Sequence, residues 1–189
     1  RLVNTWSFLL GTKEKNGKAG VMSLNEFRVD LEYSLSEREN EMFDLFYQRV
    51  FPDLVRIELV GDLKLQRLGI DKLLHMGNGQ RISIDEKKRR TDYGDILLEL
   101  WSVYEQGKKG WLFTSYCHYV VYAIMPTQKV YLLPMALLRL AWKHNAVEWE
   151  RNFPRIEAQN ADYKTISIAI PPVILLPAIS KEMSQKLGV

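Results

Sequence analysis

Several features that define familiar protein classes are missing from this sequence of 189 residues. It has one cysteine, Cys117, which cannot form an intramolecular disulfide and has no partner thiol for a structural zinc site. The longest strongly apolar stretch, residues 166–179, contains three prolines and is shorter than the roughly 20 residues that a membrane helix needs. We therefore expect a protein of a reducing compartment, the cytoplasm by default, with no membrane span.

The motifs of several common enzyme chemistries are also absent. The sequence has no glycine-rich phosphate loop of the Walker type, no G-x-S-x-G elbow and no G-x-G-x-x-G after a predicted strand. His75, His118 and His144 are scattered, without a second histidine at metal-ligand spacing. These absences disfavour ATP-driven, serine-hydrolase, dinucleotide-dependent and zinc-dependent chemistry.

The composition is that of a folded and mildly basic chain. Hydrophobic residues make up 47% and charged residues 26%, and 26 basic against 23 acidic residues give a net charge of +3. This length and composition predict one domain, residues 1–189, with one sizeable core. The charge is compatible with a polyanionic partner. The sequence begins at Arg1 and leaves open whether other residues precede it.

Hydrophobic spacing predicts a helix followed by a series of strands. Ser36 and Glu39 form a capping-box pattern, and apolar residues then recur at helical spacing up to Phe51. After Pro52 the pattern changes to the alternation typical of strands. Strands are predicted over 54–60, 68–74, 81–87, 96–100, 119–124, 129–133 and 165–170 (the last at a sheet edge), and further helices over 135–143 and the last ten residues.

The segment from Asp71 to Lys87 carries the residues of greatest chemical interest. A turn at 76–80 joins two predicted strands into a hairpin, which brings Asp71 near Asp85. Asp85 and Lys87 are two positions apart and leave the same face of their strand, whereas Glu86 leaves the other face. One face of the hairpin is therefore predicted to present two carboxylates and an ammonium group.

Two carboxylates and a lysine are suited to phosphodiester hydrolysis. Mg²⁺ or Mn²⁺ prefers carboxylate oxygens, and such an ion polarises a phosphoryl oxygen and lowers the pKa of a bound water. Lys87 can orient the attacking water and stabilise developing negative charge. Without a cation, two close carboxylates repel each other and raise each other's pKa. We predict that Asp71 and Asp85 bind Mg²⁺ or Mn²⁺ and that Lys87 assists catalysis.

These residues resemble the motif of the PD-(D/E)XK, or restriction-endonuclease-like, nuclease superfamily. That motif is an acid on one central strand followed by acid-x-lysine on the next strand. Asp71 matches the first acid and Asp85-Glu86-Lys87 matches the second part, while Ile70 stands where the motif has proline. The resemblance covers roughly residues 36–143, where the order of helix, three strands, helix and strand also agrees.

The resemblance implies a fold, an activity and a substrate. The fold is α/β, a restriction-endonuclease-like core whose mixed central sheet is flanked by the helix from Ser36 on one face and the helix from Met135 on the other. The activity is metal-dependent nucleic-acid cleavage, with DNA the favoured substrate before RNA. The resemblance also implies that a glutamate on the first helix is a further metal ligand. The candidates are Glu41 and Glu37, and we predict Glu41 as the ligand.

Basic residues near this segment are candidates for phosphate contacts. Three of them follow Lys87 at the end of the predicted strand, namely Lys88, Arg89 and Arg90. Two more occupy a later turn, Lys108 and Lys109. Such cations suit contacts with the phosphates of a nucleic acid. The alternative is that they only keep the surface soluble.

Glu99, surrounded by aliphatic residues, is either another acid near the site or part of the polar face of an edge strand.

Two further interpretations stay open from sequence. One is a nucleic-acid-binding module that keeps the nuclease-like fold without cutting, and the other is an interaction or structural subunit whose acids are a solvated charge cluster. A homodimer is compatible with all three. Several aromatic residues could stack on the bases of a single-stranded substrate, with half-buried packing in strands as the alternative: Tyr116, Tyr119, Tyr122, Tyr131 and Trp111.

Overall fold

The computed structural model of the protein describes residues 40–160 and 162–188. The elements in chain order are α1 (40–50), β1 (Leu54–Leu59), α2 (Leu63–Arg67), β2 (Lys72–Met76), β3 (Arg81–Arg89), β4 (Ile96–Val103), β5 (Lys108–Lys109), α3 (Trp111–Thr114), β6 (Tyr119–Ile124), β7 (Lys129–Pro134), α4 (Met135–Asn152), β8 (Arg155–Gln159), β9 (Lys164–Ile170) and α5 (Pro172–Leu187). The predicted helix start at Ser36 and the alternative ligand Glu37 lie outside the described residues. None of the helices in the described ranges has the length and apolarity needed to cross a bilayer.

Five strands form a mixed sheet in the order β1-β2-β3-β6-β7. The first three are antiparallel neighbours, β3 and β6 run parallel, and β6 and β7 form an antiparallel hairpin. The predicted turn between β2 and β3 is present, and Gly79 adopts a positive φ of 83° there, a conformation that glycine reaches without the steric cost of a Cβ. This sheet contains the hairpin that carries the candidate acids.

The predicted strand over 68–74 is wrong at its start. The short helix α2 ends at Arg67, directly before this segment, and its cap residue Asp62 accepts a hydrogen bond from the Lys64 N–H at 2.7 Å. Gly69 then turns the chain with a φ of 68° before β2 begins at Lys72. The local cap and the left-handed glycine override the short apolar alternation here.

Four more strands form a second, antiparallel sheet in the order β5-β4-β9-β8. The predicted strand over 96–100 belongs to this sheet rather than to the central one. The strand predicted over 165–170 is present, but its assignment to a sheet edge is wrong because β9 pairs with β4 on one side and β8 on the other. Continuous burial of residues 166–170 agrees with this inner position.

Helices cover both faces of the central sheet, as predicted. On one face, α1 packs against β2, β3, β6 and β7 through four buried residues, Met42, Phe43, Phe46 and Tyr47. On the other face, α4 and α5 join the second sheet in a separate hydrophobic cluster that includes Val120 and Tyr122 of β6. Both helices are longer than predicted, and α5 begins at Pro172, where a helix tolerates proline. The fold is therefore mixed α/β with a mixed central sheet flanked by helices.

Candidate functional site

The end of the β2–β3 ladder places Asp71 near Asp85. Lys72 pairs with Ile84 as the last pair of this antiparallel ladder, and the N–H of the preceding residue, Asp71, donates to the Ile84 carbonyl at 2.8 Å. The Glu86 N–H also donates to Asp71 Oδ2 at 2.8 Å, which fixes the Asp71 carboxylate against β3. Besides burial, the charge of Asp71 raises the pKa of Asp85, so the two acids are within electrostatic reach. Two neighbouring carboxylates repel each other unless a cation compensates.

The alternation of β3 separates its charged residues between two faces. Ile84 belongs to the core beneath α1, and the Tyr47 hydroxyl of α1 donates to Glu86 Oε1 at 2.6 Å. Asp85 and Lys87 therefore point to the opposite face, where the Lys87 ammonium donates to Asp85 Oδ1. The structure thus brings Asp71, Asp85 and Lys87 together on one face.

Asp85 is held in a dry and incompletely satisfied environment. Its side chain is 1% exposed, and within the described residues its Oδ2 has no partner at hydrogen-bonding geometry, although the Ser115 hydroxyl is close enough to lower the pKa of the carboxyl. Burial raises the pKa of Asp85 to about 6, although the Lys87 charge opposes this, and the charge of Asp71 adds to the increase. A buried carboxylate oxygen without a donor costs free energy, so it points to a missing partner.

A close approach by Gly69 forms one wall around Asp85. A Cβ at this position would lie 2.9 Å from Asp85 Oδ2 and would also overlap the Ser115 side chain. Ser115 is itself buried, and its hydroxyl donates to the Gly69 carbonyl at 3.3 Å. The glycine therefore lets the chain before Asp71 pack directly on the acid, which excludes water from that side.

Glu99 of β4 provides a further acid near Lys87. Its Oε1 accepts a hydrogen bond from the Trp111 N–H at 3.1 Å. Burial raises the pKa of Glu99, and the charge of Lys87 acts in the opposite direction, so the two groups are within electrostatic reach. The prediction of another acid near the site is consistent with this position. The second sheet thus supplies a carboxylate within electrostatic reach of Lys87.

A second charged network, missed from sequence, lies on the α1 face of the same hairpin. The Lys72 ammonium contacts Glu86 Oε1 at 3.0 Å and Asp44 Oδ1 at 3.2 Å. It also lies 5.4 Å from the centre of the Tyr47 ring. Lys72 and Glu86 are 7% and 10% exposed, and each has a partner. The signal in the sequence is a lysine at a position that strand alternation assigns to the core.

The structure does not bring the predicted third ligand, Glu41, to the aspartates. Glu41 is exposed on α1, where it lines an open groove with Asn40, Asp44, Leu45 and Gln48. The buried residues of α1 pack on the face of the sheet opposite Asp85. Within residues 40–160 and 162–188, no group of three histidine, cysteine, aspartate or glutamate side chains could hold a metal ion. A shell containing Glu41 is therefore not assembled.

The predicted phosphate contacts are dispersed rather than gathered in one patch. Lys88 lies over the Phe43 ring on the α1 side at 5.5 Å. Arg89 is paired with Asp95 at 2.7 Å. Arg90 is exposed at the end of the run. In the second sheet, Lys108 is exposed and Lys109 lies 3.4 Å from the centre of the Trp101 ring. Strand alternation divides consecutive cations between two faces, which a sequence run does not reveal.

The chemistry available at the site is that of two neighbouring carboxylates beside a lysine. Mg²⁺ is commonly held by one or two carboxylates with several retained waters, so Asp71 and the unpartnered Asp85 Oδ2 fit such an ion without a third protein ligand. Cys117 is a poor nucleophile because burial raises the pKa of its thiol to about 11.

Comparisons of the chain with protein-family models, with curated proteins and with solved structures give no match.

Proposed function

We propose that the protein is a metal-dependent nuclease that hydrolyses phosphodiester bonds, with DNA the favoured substrate. The observation that carries the proposal is the buried Asp85 carboxylate, which lies within electrostatic reach of Asp71, pairs with Lys87 through one oxygen and has no partner at hydrogen-bonding geometry on the other. The resemblance of Asp71 and Asp85-Glu86-Lys87 to the PD-(D/E)XK motif supports the same reaction. A parallel β3–β6 pair beside the antiparallel hairpin agrees with the implied restriction-endonuclease-like core.

Asp71 and Asp85 are the proposed ligands for Mg²⁺ or Mn²⁺. A bound ion would supply Lewis acidity toward a phosphoryl oxygen and a water of lowered pKa. Asp85 must be ionised to bind it, and its pKa of about 6 means that it is ionised at neutral pH. The hydrogen bond from the Glu86 N–H keeps Asp71 oriented toward the shared position.

Lys87 has two roles in this proposal. Its side chain is 30% exposed, so it connects the buried Asp85 with the solvent side where a phosphate would lie. With a metal ion held by Asp85, the Lys87 ammonium would be placed to orient the attacking water and to stabilise the charge that develops on the phosphate. Glu99 adds a negative charge within electrostatic reach of this ammonium.

The test is cleavage of labelled linear, circular and branched DNA, and of RNA, across Mg²⁺ and Mn²⁺ concentrations. Asp85→Ala and Lys87→Ala should each reduce metal-dependent cleavage by at least about 100-fold, the range expected for loss of a metal ligand or a proton-transfer group. Lys88→Ala is the matched control because it removes the next lysine of the same strand from the opposite face. It should leave cleavage within a few-fold of wild type.

Two results would contradict the proposal. If folded wild type and Asp85→Ala are equally inert on every substrate, the protein is not a nuclease under these conditions. Nucleic-acid binding that survives in the absence of cleavage would then favour the non-catalytic binding module, and absence of both would favour the interaction subunit. If Lys88→Ala reduces cleavage as much as Lys87→Ala, the assignment of the catalytic face is wrong.

A further inference from the structure

An exposed apolar and basic surface adjoins the candidate acids. It is formed by α2, the residue after it and the loop before β6, and we call it the α2 platform. Its residues are Leu63, Lys64, Arg67, Leu68 and Tyr116. Leu63 is 67% exposed and Tyr116 is 70% exposed. Large apolar and aromatic groups exposed together commonly mark a binding surface.

The platform is joined directly to the site. The Tyr116 N–H donates to the Leu68 carbonyl at 2.7 Å, so the tyrosine is anchored by its backbone while its ring stays exposed. The next residue after Leu68 is Gly69, which packs against Asp85 Oδ2. Ser115, the neighbour of Tyr116, is bonded to Gly69. The backbone of Tyr116 is therefore adjacent to the Ser115–Gly69 contact that lies against Asp85.

The charge of the platform is positive. Lys64 and Arg67 are exposed and are three positions apart on α2, which places them on the same side of the helix. Among the residues that the structure describes, neither side chain forms an ion pair. The nearby Asp62 carboxylate is occupied in part by the Lys64 backbone N–H at 2.7 Å. Two free cations beside an exposed aromatic ring suit a nucleic-acid strand.

We propose that the α2 platform binds an unpaired nucleotide next to the scissile phosphate, with its base stacked on Tyr116 and its phosphates near Lys64 and Arg67. This inference rests on the proposed nuclease function and makes its substrate more specific. An exposed ring can stack on the face of a base only where that base is outside a continuous duplex. The favoured substrate is therefore a single strand, or a single-stranded region beside a duplex.

The experiment measures binding of labelled single-stranded DNA and of the corresponding duplex by fluorescence anisotropy in EDTA, where metal-dependent cleavage is suppressed. Tyr116→Ala should weaken single-strand binding by roughly 10-fold, while Tyr116→Phe should stay close to wild type because stacking needs only the ring. Tyr163→Ala, which removes an exposed tyrosine at the far β8–β9 hairpin, is the matched control and should have little effect.

The basic residues are tested by salt dependence. In the Lys64→Ala/Arg67→Ala variant, the slope of log affinity for the single strand against log salt should become shallower by about 1.4, or roughly 0.7 for each lost phosphate contact. A Lys181→Ala variant on α5 provides a distant exposed lysine as control. Circular dichroism checks that all variants are folded, which their exposed positions favour.

The inference is overturned if the duplex binds as well as the single strand, if neither binds, or if Tyr116→Ala binds the single strand like wild type. Because binding is measured without metal, its outcome is separate from catalysis. Cleavage that depends on Asp85 but not on Tyr116 would reject the platform and keep the nuclease. Single-strand binding that depends on Tyr116 without any cleavage would reject the nuclease and keep the platform as a binding surface.

Discussion

Both faces of the β2–β3 hairpin carry buried charged residues. The charges are compensated by partners on the α1 face and only partly compensated on the other face. On the α1 face, the Lys72 ammonium contacts both Glu86 and Asp44, and the Tyr47 hydroxyl completes the contacts of Glu86. On the other face, Asp85 is more deeply buried than Glu86 and one of its oxygens has no partner among the described residues.

This difference separates a structural role from a functional one. A buried ion pair with additional hydrogen bonds satisfies its own charges and holds two strands in register. A buried acid that has one oxygen without a partner and lies near another acid is a source of instability in the folded protein, and such sites persist where function requires them. The contrast between the faces supports assigning chemistry to Asp85 and stabilisation to Lys72 and Glu86.

The largest effect should come from breaking the satisfied face. Lys72→Met removes the ammonium and leaves Glu86 buried without its cation, so the free energy of unfolding should fall by about 3 kcal/mol. Urea denaturation followed by circular dichroism measures this change. Adding Glu86→Gln should recover much of the loss because the neutral amide no longer needs a cation and can still bond to Tyr47. If the single variant is as stable as wild type, the network does not stabilise the hairpin.

A smaller effect of opposite sign is expected on the unsatisfied face. The pKa of Asp85 is about 6 in the folded protein, whereas an unfolded chain releases this proton near pH 4. The unfolded state is therefore favoured as the pH rises between these values, and the wild type loses stability there. Asp85→Asn has no proton to release, so it should be more stable than wild type at pH 8 by on the order of 2 kcal/mol and nearly equal at pH 4.

Denaturation curves at several pH values measure this difference, with Asp53→Asn as control because Asp53 is an exposed acid of the same sheet region. The control should follow the wild-type pH dependence. A variant Asp85→Asn that is less stable than wild type at pH 8 would show that the ion pair with Lys87 outweighs the cost of burying the carboxylate.

Much of the hairpin could be predicted from sequence because its signals are local. Gly79 marks the turn, and the alternation of Ile82 and Ile84 decides which face of β3 is buried under α1. Once that face is known, Asp85 and Lys87 must share the other, since a shift by one residue would reverse every side chain. Asp71 then lies near Asp85 because it directly precedes Lys72, the last residue of β2 that pairs with β3.

Other parts of the site depend on contacts between distant segments and have no local signal. Glu99 reaches Lys87 only because β4 pairs with β9 in a second sheet, which joins residues about 70 positions apart in sequence. The position of Glu41 depends on how α1 is rotated on the sheet, and four apolar side chains of α1 decide that rotation. The α2 platform arises from a cap and a glycine that interrupt a short apolar pattern.

We propose that Asp71 and Asp85 bind a divalent cation. Calorimetric titration of the wild type with Mn²⁺ at pH 7.5 measures this binding directly. We predict one binding event per chain that is lost in Asp85→Asn, weakened at pH 5 where Asp85 is protonated, and unchanged in Asp53→Asn. At ten times the dissociation constant, bound metal should add about 1.4 kcal/mol to the free energy of unfolding. Equal heats from wild type and Asp85→Asn, or no binding to either, would contradict the account.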